Sequence, residues 1–393
     1  MKKFLTIFVC AAVALSLTAC SENIVTSESE NYALNALGDS PNDAGDDSGD
    51  SAAENASESS DGEPNWVNAS EKEFDFEEYE NGVMILYYYG DGGDVVIPER
   101  LDARPVVAFK DGFFSKDQFT NLSLPKYVTE LGEAAFYNCK RLQSVNIPEG
   151  VTEIGERTFY NCQSLKSVDI HNKVTAIGAG AFCGCSALTG ISIPNSVETI
   201  DNNAFAGCGN LKRVTLGSGL KYIGQGAFSK CGFESIKLPD EVEEIGDLAF
   251  SGCVNLKSVN IPKKTEAIND QVFRGCGLES ITIPNNVKTI GRYAFRECSL
   301  LESVTIPNSV IEINSEAFAL CNGLTKITIP DSVKYVSYDT FNFCNTAISV
   351  TYKGRAYTYK DIGRLPQIIN GKYEGANKTE TPAQPEPQAP TEE

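Results

Sequence analysis

Apolar and polar positions along most of this chain follow one repeat of 22 or 23 residues. A phenylalanine occurs once per repeat, and a cysteine follows it three residues later. The phenylalanines are Phe136, Phe159, Phe182, Phe205, Phe228, Phe250, Phe273, Phe295, Phe318 and Phe341. The cysteines are Cys139, Cys162, Cys185, Cys208, Cys231, Cys253, Cys276, Cys298, Cys321 and Cys344. A fixed period of this length is typical of stacked-repeat proteins, so the pattern predicts a solenoid.

The unit that ends at Cys321 shows how the local sequence predicts one coil. Val304 and Ile306 alternate with polar residues, which predicts a short strand with one apolar face. Pro307 has no backbone N–H and therefore ends that strand. The segment Ala317–Cys321 is predicted to form a short helical turn with its apolar side inward.

One position between the strand and this turn is glycine in most units. The residues at this position include Gly155, Gly178, Gly224, Gly246, Gly291 and Asn314. Glycine and asparagine tolerate a positive φ more readily than other residues do. We therefore expect a tight corner with positive φ at this position.

A single unit buries too little apolar surface to fold alone. About eight inward residues contribute roughly 15 kcal/mol, whereas ordering about 23 residues costs roughly 25–45 kcal/mol. Stacked units share their cores and add hydrogen bonds between parallel strands. Phe113 marks an earlier copy that lacks the cysteine. The sequence thus predicts a repeat solenoid of short parallel β-strands and short helical turns, with about ten to eleven coils and disordered termini.

The repeat resembles the BspA-type leucine-rich repeats of bacterial surface proteins. The resemblance covers roughly Phe113 to Cys344 and rests on Leu, then Val/Ile-x-Ile-Pro, then Val-x-x-Ile-Gly, then Ala-Phe-x-x-Cys. Gly90–Pro98 looks like the degenerate N-terminal coil of that family, and Thr351–Tyr357 looks like its C-terminal cap. The departures from the pattern are His171, Gly217 and Thr265. The resemblance implies a curved, leucine-rich-repeat-like solenoid on the cell surface, with a role in adhesion or protein binding.

The first residues of the chain read as a secretion signal. Lys2 and Lys3 precede the uncharged apolar run Phe4–Leu17, which is too short for a comfortable membrane span. Leu17-Thr18-Ala19-Cys20 resembles the lipobox of bacterial lipoproteins. This predicts that Cys20 is lipidated and attaches the protein to a membrane. The alternative is an ordinary signal peptide in which the cysteine occurs by chance.

The negative charge is concentrated near the N-terminus. The whole chain carries −20, of which residues 21–82 carry −17 and residues 83–370 only −2. A balance this acidic argues against nucleic-acid binding, which needs basic side chains. The predicted organisation is a lipoprotein signal peptide over 1–20, an acidic disordered tether over 21–71, an N-terminal cap and degenerate first coil over 72–112, BspA-type repeats over 113–345, a C-terminal cap over 346–370, and a disordered Pro/Glu-rich tail over 371–393.

The spacing of the ten repeat cysteines argues against disulfides. Equivalent cysteines on neighbouring coils should lie about 4.8 Å apart with parallel Cα–Cβ bonds. Their Cβ atoms would then be farther apart than the roughly 3.5–4.5 Å that a disulfide requires. We expect a column of buried thiols that act as small apolar fillers. Cys183 lies outside this column and is expected to be more exposed.

No catalytic constellation is present in the sequence. His171 is the only histidine, and it occupies a turn position. No Ser/His/Asp set, phosphate-binding loop or metal-ligand spacing accompanies it. The sequence therefore predicts a protein that is not an enzyme and that needs no cofactor or metal.

The outward strand positions form two polar columns, which we call the sheet face. The first column is Ser144, Ser167, Gly190, Arg213, Ser235, Ser258, Ser280, Ser303 and Lys326. The second is Asn146, Asp169, Ser192, Thr215, Lys237, Asn260, Thr282, Thr305 and Thr328. Arg213 and Lys237 interrupt the small polar residues near the middle. The candidate ligand-binding residues are Arg213, Thr215, Ser235, Lys237, Ser258 and Asn260.

Two functional hypotheses follow from this pattern. In the first, the protein is a monomer that is lipid-anchored in the cell envelope and exposed at the cell surface, and its sheet face binds an extracellular protein or glycan, including one of host origin. In the second, it is a structural envelope scaffold or spacer without a specific ligand. The second remains open because serine and threonine also suit a solvated strand that binds nothing.

Overall fold

The computed structural model describes residues 64–114 and 118–371. The predicted signal peptide with Cys20, most of the predicted tether and nearly all of the predicted C-terminal tail lie outside these residues. The described chain is a solenoid of about 12 turns, which confirms the predicted fold class.

Strands of several residues cover the N-terminal end of the solenoid. They are β1 (Val67–Asn68), β2 (Phe74–Tyr79), β3 (Gly82–Tyr88), β4 (Gly93–Val96), β5 (Arg100–Leu101), β6 (Arg104–Phe109) and β7 (Phe119–Ser123). Strands β2 and β3 are antiparallel, and β3 pairs with β6 in parallel. Strand β1 pairs with β4 and lies within the range predicted as tether, so the folded part begins before residue 72. Burial of Ala69 accompanies this pairing.

Most coils contribute two short strands, because apolar residues point inward at two places in each unit. The strands of the sheet face are β8 (Ser144–Val145), β11 (Gly190–Ser192), β13 (Arg213–Thr215), β15 (Ser235–Ile236), β17 (Ser258–Val259), β19 (Ser280–Thr282), β21 (Ser303–Thr305) and β23 (Lys326–Ile329). The strands of what we call the second face are β9 (Glu153–Ile154), β10 (Ala176–Ile177), β12 (Thr199–Ile200), β14 (Tyr222–Ile223), β16 (Glu244–Ile245), β18 (Ala267–Ile268), β20 (Thr289–Ile290), β22 (Glu312–Ile313) and β24 (Tyr335–Val336). Where strands of adjacent coils within one face pair, they pair in parallel.

Strand pairing on the sheet face is interrupted. Strand β13 does not pair with β15, and β17 does not pair with β19. Both interruptions follow the places where a coil is one residue shorter, at Gly232 and at Gly277. On the second face the ladder continues across both shortened coils, as the pairing of Tyr222 with Glu244 shows, and it is interrupted instead between β16 and β18.

The segments around the ladder phenylalanines form turns, which we call the turn face. The predicted short helical turn is therefore not a helix. Around Phe205, for example, Asn203 has a φ of 54° and Gly207 a φ of 74°. The N–H groups of these three residues donate to carbonyls of the next coil at 2.7–2.8 Å. Left-handed residues two positions before and two positions after the phenylalanine accompany this arrangement, in which all three N–H groups point toward the next coil.

The corner glycines have a different role from the expected one. Positive φ angles occur two residues before and two residues after most ladder phenylalanines. Among the described repeats, the corner position has a positive φ only at Gly132, where it is 83°. A Cβ on Gly224 would lie 2.5 Å from the backbone N of Asn202, and one on Gly246 would lie 2.6 Å from that of Gln225. At Gly224 and Gly246 glycine is needed because the backbone of the preceding coil lies too close for a side chain. At Gly155, by contrast, a Cβ would meet only Thr158 Oγ1, at 3.6 Å.

A matched pair of glycines tests this close approach. A Cβ on Gly232 would lie 2.0 Å from the carbonyl oxygen of Gly209, whereas a Cβ on Gly209 meets nothing within 4 Å. Gly232→Ala is expected to lower the free energy of unfolding by about 1–3 kcal/mol, because the coils must move apart. Gly209→Ala should leave it nearly unchanged. Urea unfolding followed by circular dichroism measures both, and equal effects would contradict the explanation.

A continuous stack of phenylalanine rings runs through the core. Eleven rings, from Phe114 to Phe341, lie with neighbouring centroids 4.3–5.8 Å apart and planes within 2–16° of parallel. The first ring is Phe114, so the prediction that Phe113 begins the series is wrong. The N–H of Phe114 bonds the carbonyl of Ala135, which is the ladder register, while Phe113 packs edge-on against Phe114.

The C-terminal end is formed by a hairpin and a short helix. Strand β25 (Ser349–Tyr352) pairs with β23 and, in antiparallel fashion, with β26 (Arg355–Thr358). A 3₁₀ turn (Ile362–Arg364) leads into helix α1 (Leu365–Ile369), whose buried residues contact β24. None of the helices in the described part of the chain has the length and apolar character needed to cross a membrane.

Candidate functional site

The structure places all six candidate ligand-binding residues at the surface, but not in one sheet. Arg213 and Thr215 lie on β13, opposite Gly190 and Ser192 of the preceding coil. Ser235 on β15 is directly opposite Ser258 on β17. Lys237 and Asn260 each follow the end of one of these strands by one residue. The candidates therefore lie on both sides of the interruption between β13 and β15.

Two cations near this interruption are not neutralised by a neighbouring acid. Within residues 64–114 and 118–371, neither Arg213 nor Lys237 forms an ion pair. The residue opposite Arg213 is Gly190, which has no side chain to cover the guanidinium. Lys212 is different, because its Nζ donates to the carbonyl of Gly232 at 3.3 Å and so bridges the interruption.

Charges on and beside the second face are paired between adjacent coils. Lys221 contacts Glu198 at 2.9 Å, and Lys288 contacts Glu266 at 2.8 Å. Lys264 contacts Glu241 at 2.6 Å, and this hydrogen bond and the lysine charge lower the pKa of Glu241. These pairs compensate part of the charge of this face. By contrast, Arg213 and Lys237 on the sheet face form no such ion pair with a described residue.

Asn260 has a structural role in addition to its surface position. Its side-chain amide accepts from the N–H of Leu238 and donates to the carbonyl of Leu238, both at 2.8 Å. Asn146 makes the same pair of bonds to Leu124. The amide thus replaces a peptide group of a strand ladder, and both of its polar ends are engaged.

The ten repeat cysteines form the predicted column of free, buried thiols. They do more than fill space, because each S–H donates to the carbonyl of the ladder phenylalanine in the preceding coil, at sulfur–oxygen distances of 2.8–3.2 Å. Cys208, for example, donates to Phe182 at 3.1 Å. The thiols therefore connect successive coils as well as packing between them.

The expectation that Cys183 is more exposed is wrong. Its side chain is only 6% exposed. Ala206, which occupies the same position in the next coil, is also buried. The residue directly after a ladder phenylalanine is buried in some coils, as at Cys183 and Ala206, and exposed in others, as at Asn342, so its place in the repeat does not by itself predict its exposure.

Burial makes the repeat thiols weak acids. It raises the pKa of Cys208 and of Cys253 from 9.0 to about 12, against the smaller lowering effect of backbone hydrogen bonds. The pKa of Cys344, near the end of the stack, is raised to about 11. A thiol that stays protonated and buried is a poor nucleophile and a poor metal ligand. Among the described residues, no group of three or more His, Cys, Asp or Glu side chains is arranged to hold a metal ion.

Comparison with protein families identifies the repeat. The model described as "BspA type leucine rich repeat region" matches with six copies over residues 108–233 and 221–348, more than half of the chain. The chain belongs to the BspA-type leucine-rich repeat family. Proteins built from leucine-rich repeats are generally non-catalytic, and membership of this family indicates binding or adhesion through the repeats, at an extracellular or cell-surface location.

Solved structures of bacterial leucine-rich repeat proteins are similar to this BspA-type chain. A leucine-rich repeat protein from Bacteroides ovatus is 27% identical, with 71% of this chain and 87% of that chain covered and a TM-score of 0.57. A leucine-rich cell surface protein from Faecalibacterium prausnitzii is 25% identical, with 73% of this chain and 95% of that chain covered and a TM-score of 0.49. No protein of curated function matches the chain.

Proposed function

We propose that this BspA-type chain is a monomeric, lipid-anchored cell-surface protein whose sheet face binds an extracellular protein or glycan. One observation carries the binding part of the proposal. Arg213 and Lys237 are exposed cations that form no ion pair with any described residue, and they lie in the middle of a face whose other outward side chains are mostly small hydroxyls. Small neighbours leave the two charged groups accessible to a ligand.

The chemistry of this face favours a polar, acidic ligand. Serine and threonine hydroxyls both donate and accept hydrogen bonds, as the hydroxyls and amides of glycans and peptides do. An unpaired guanidinium and an unpaired ammonium attract carboxylate or sulfate groups and favour their approach. We therefore expect the ligand, of host or other origin, to carry negative charge near the centre of the contact surface.

The proposed anchor is Cys20, which lies outside the described residues. Support comes from the sequence before it: two lysines, an uncharged apolar run and Leu17-Thr18-Ala19. A lipid on Cys20 and the acidic segment after it would hold the solenoid away from the membrane. A flexible coil of about 50 residues spans on the order of 40 Å.

Charge reversal at the two cations tests the proposed binding face. Arg213→Glu and Lys237→Glu are each expected to weaken binding at least about tenfold, which corresponds to about 1.4 kcal/mol, because attraction becomes repulsion. The mature chain, without tag or lipid, is applied to arrays of glycans and extracellular matrix proteins, and any ligand found is titrated by calorimetry.

Lys334→Glu is the matched control, because Lys334 is an exposed lysine beside the second face. It makes the same change in charge and should leave binding unchanged. Equal loss in all three variants would show a general charge effect and would contradict a site on the sheet face. Absence of any saturable ligand would favour the scaffold alternative.

A further inference from the structure

The turn face ends with backbone N–H groups for which no later described coil provides an acceptor carbonyl. In each earlier coil the N–H of the ladder phenylalanine and that of the residue two positions on donate to the following coil; Phe205 and Gly207, for example, bond Ala227 and Ser229. In the last coil the equivalent donors are the N–H groups of Phe341 and Phe343. Neither has a hydrogen-bond partner within the part of the chain that the structure describes. Unpaired donors at the end of a ladder can accept another strand.

A cavity lies over this end of the stack. Its volume is about 290 Å³, and its lining includes Phe341, Phe343, Tyr359, Lys360 and Leu365. Two aromatic rings are exposed at its rim, since Phe343 is 66% and Tyr359 is 43% exposed. The cavity thus combines an aromatic lining with the two free N–H groups, which suits an aromatic residue held by its own backbone carbonyls.

The chain leaves the described part beside this cavity. The side-chain amide of Asn370 accepts from the N–H of Val336 at 2.9 Å and donates to its carbonyl at 3.1 Å. Val336 lies five residues before Phe341. In other coils the carbonyl at this position accepts from the following coil, as Ile200 accepts from the N–H of Gly224 at 2.8 Å. Asn370 therefore holds the chain where a further coil would begin.

The residues from Gly371 onward repeat the pattern of the turn face. Gly371 has a φ of 71°, in the left-handed region. Tyr373 follows two residues later and Gly375 two residues after that, in the string Gly371-Lys-Tyr-Glu-Gly375. The turn around Phe182 has the same spacing: Gly180 with a φ of 61°, the aromatic ring, and Gly184 with a φ of 75°. In this spacing Tyr373 corresponds in sequence to the ladder phenylalanine of a coil.

We propose that residues 371–375 dock on the open end of the solenoid as a final half-coil. The ring of Tyr373 enters the cavity and stacks on Phe341, which continues the row of phenylalanines by one ring. The carbonyls of Lys372 and Glu374 accept from the N–H groups of Phe341 and Phe343, following the register of the earlier coils. The tyrosine hydroxyl, which phenylalanine lacks, faces the wet rim beside Lys360.

Amide hydrogen exchange of Phe341 and Phe343 in the full mature chain tests this docking. In the native chain we expect exchange at both amides to be slowed at least about tenfold relative to Tyr373→Ala, because docking closes both hydrogen bonds. Tyr373→Phe should keep the protection, since the ladder ring is itself phenylalanine. Gly375→Val should reduce it, because valine disfavours a positive φ. Lys378→Ala, outside the pattern, should change nothing.

The amide of Phe228, in the middle of the stack, must remain protected in every variant, which shows that the solenoid is still folded. Rapid exchange of Phe341 and Phe343 in the native chain, or protection that persists in Tyr373→Ala, would overturn the proposal. Protection that appears only at high protein concentration, together with a dimer on size-exclusion chromatography, would also overturn it, because a second copy would then be the occupant.

Discussion

Replacing Phe205 by alanine is expected to lower the free energy of unfolding by about 3–5 kcal/mol. The ring is fully buried and lies between Phe182 and Phe228, at centroid distances of 5.1 and 5.3 Å and within 4° of parallel. Removing it leaves a cavity that spans two coil interfaces, and the neighbouring coils cannot collapse into it without breaking their backbone hydrogen bonds. Urea unfolding of the mature chain, followed by circular dichroism, measures the loss.

Two further variants test whether the loss of stability comes from the stack of phenylalanine rings. Phe205→Leu keeps much of the volume and should cost clearly less than the alanine change, about 1.5 kcal/mol or less. Leu300→Ala removes a large apolar side chain that is 54% exposed, so it should cost little. If Phe205→Ala were no more destabilising than Leu300→Ala, the row of rings would not be what holds the coils together.

Raising the pH above about 9 is expected to destabilise the solenoid steeply. In the folded chain the pKa values of Cys208, Cys253 and Cys298 are about 12, whereas an ordinary cysteine has a pKa of 9.0. Between these two values the unfolded chain releases thiol protons that the folded chain retains. Stability therefore falls as the pH rises through this window, by about 1.4 kcal/mol per pH unit for each fully buried thiol.

Below about pH 8 the same thiols are protonated in both states, so they should make no contribution to the pH dependence there. Urea midpoints measured at pH 7.5, 9 and 10 give the slope, and thiolate absorbance reports the ionisation. Cys208→Ser isolates one thiol, because a serine hydroxyl can still donate to the carbonyl of Phe182 but does not titrate in this range. Above pH 9 the Cys208→Ser chain should release about one proton fewer on unfolding, so its free energy of unfolding should fall less steeply with pH. An unchanged slope would contradict the prediction.

The sequence predicted the coil well because its main signals are side-chain signals. A phenylalanine and a cysteine at a fixed spacing must face the same interior in every coil, and their burial follows from that alone. The choice between Phe113 and Phe114 could not be made in this way. Both are apolar, and the register depends on which backbone N–H reaches Ala135.

The pattern of apolar and polar residues did not predict the backbone conformation of the coil. Glycine at a repeated position can mean a positive φ or a close approach, and Gly224 turned out to be the second case. The left-handed residues two positions before and two positions after the ladder phenylalanines include asparagine, arginine, leucine and glutamate as well as glycine. Because these residue types have no common left-handed preference, the stacking of the coils imposes the conformation.

The candidate site was predictable only in part for a related reason. Alternation along the strands correctly placed Arg213 and Lys237 at the surface. Whether a surface charge is compensated depends on its neighbour one coil away, as the pair of Lys257 with Glu234 at 3.2 Å shows. The engagement of Asn260 with Leu238 and the break between β13 and β15 also arise between coils.

Each coil bonds mainly to the coil before it and the coil after it, and this has a consequence for how such chains change in length. Excision of residues 186–208, from one repeat cysteine to the next, would bring together two coils with the same donors and acceptors as before. Whole units can therefore be gained or lost by gene duplication and deletion without altering either end. Loss of a single residue has a different effect, because strand pairing on the sheet face is interrupted after each of the two shortened coils, at Gly232 and at Gly277.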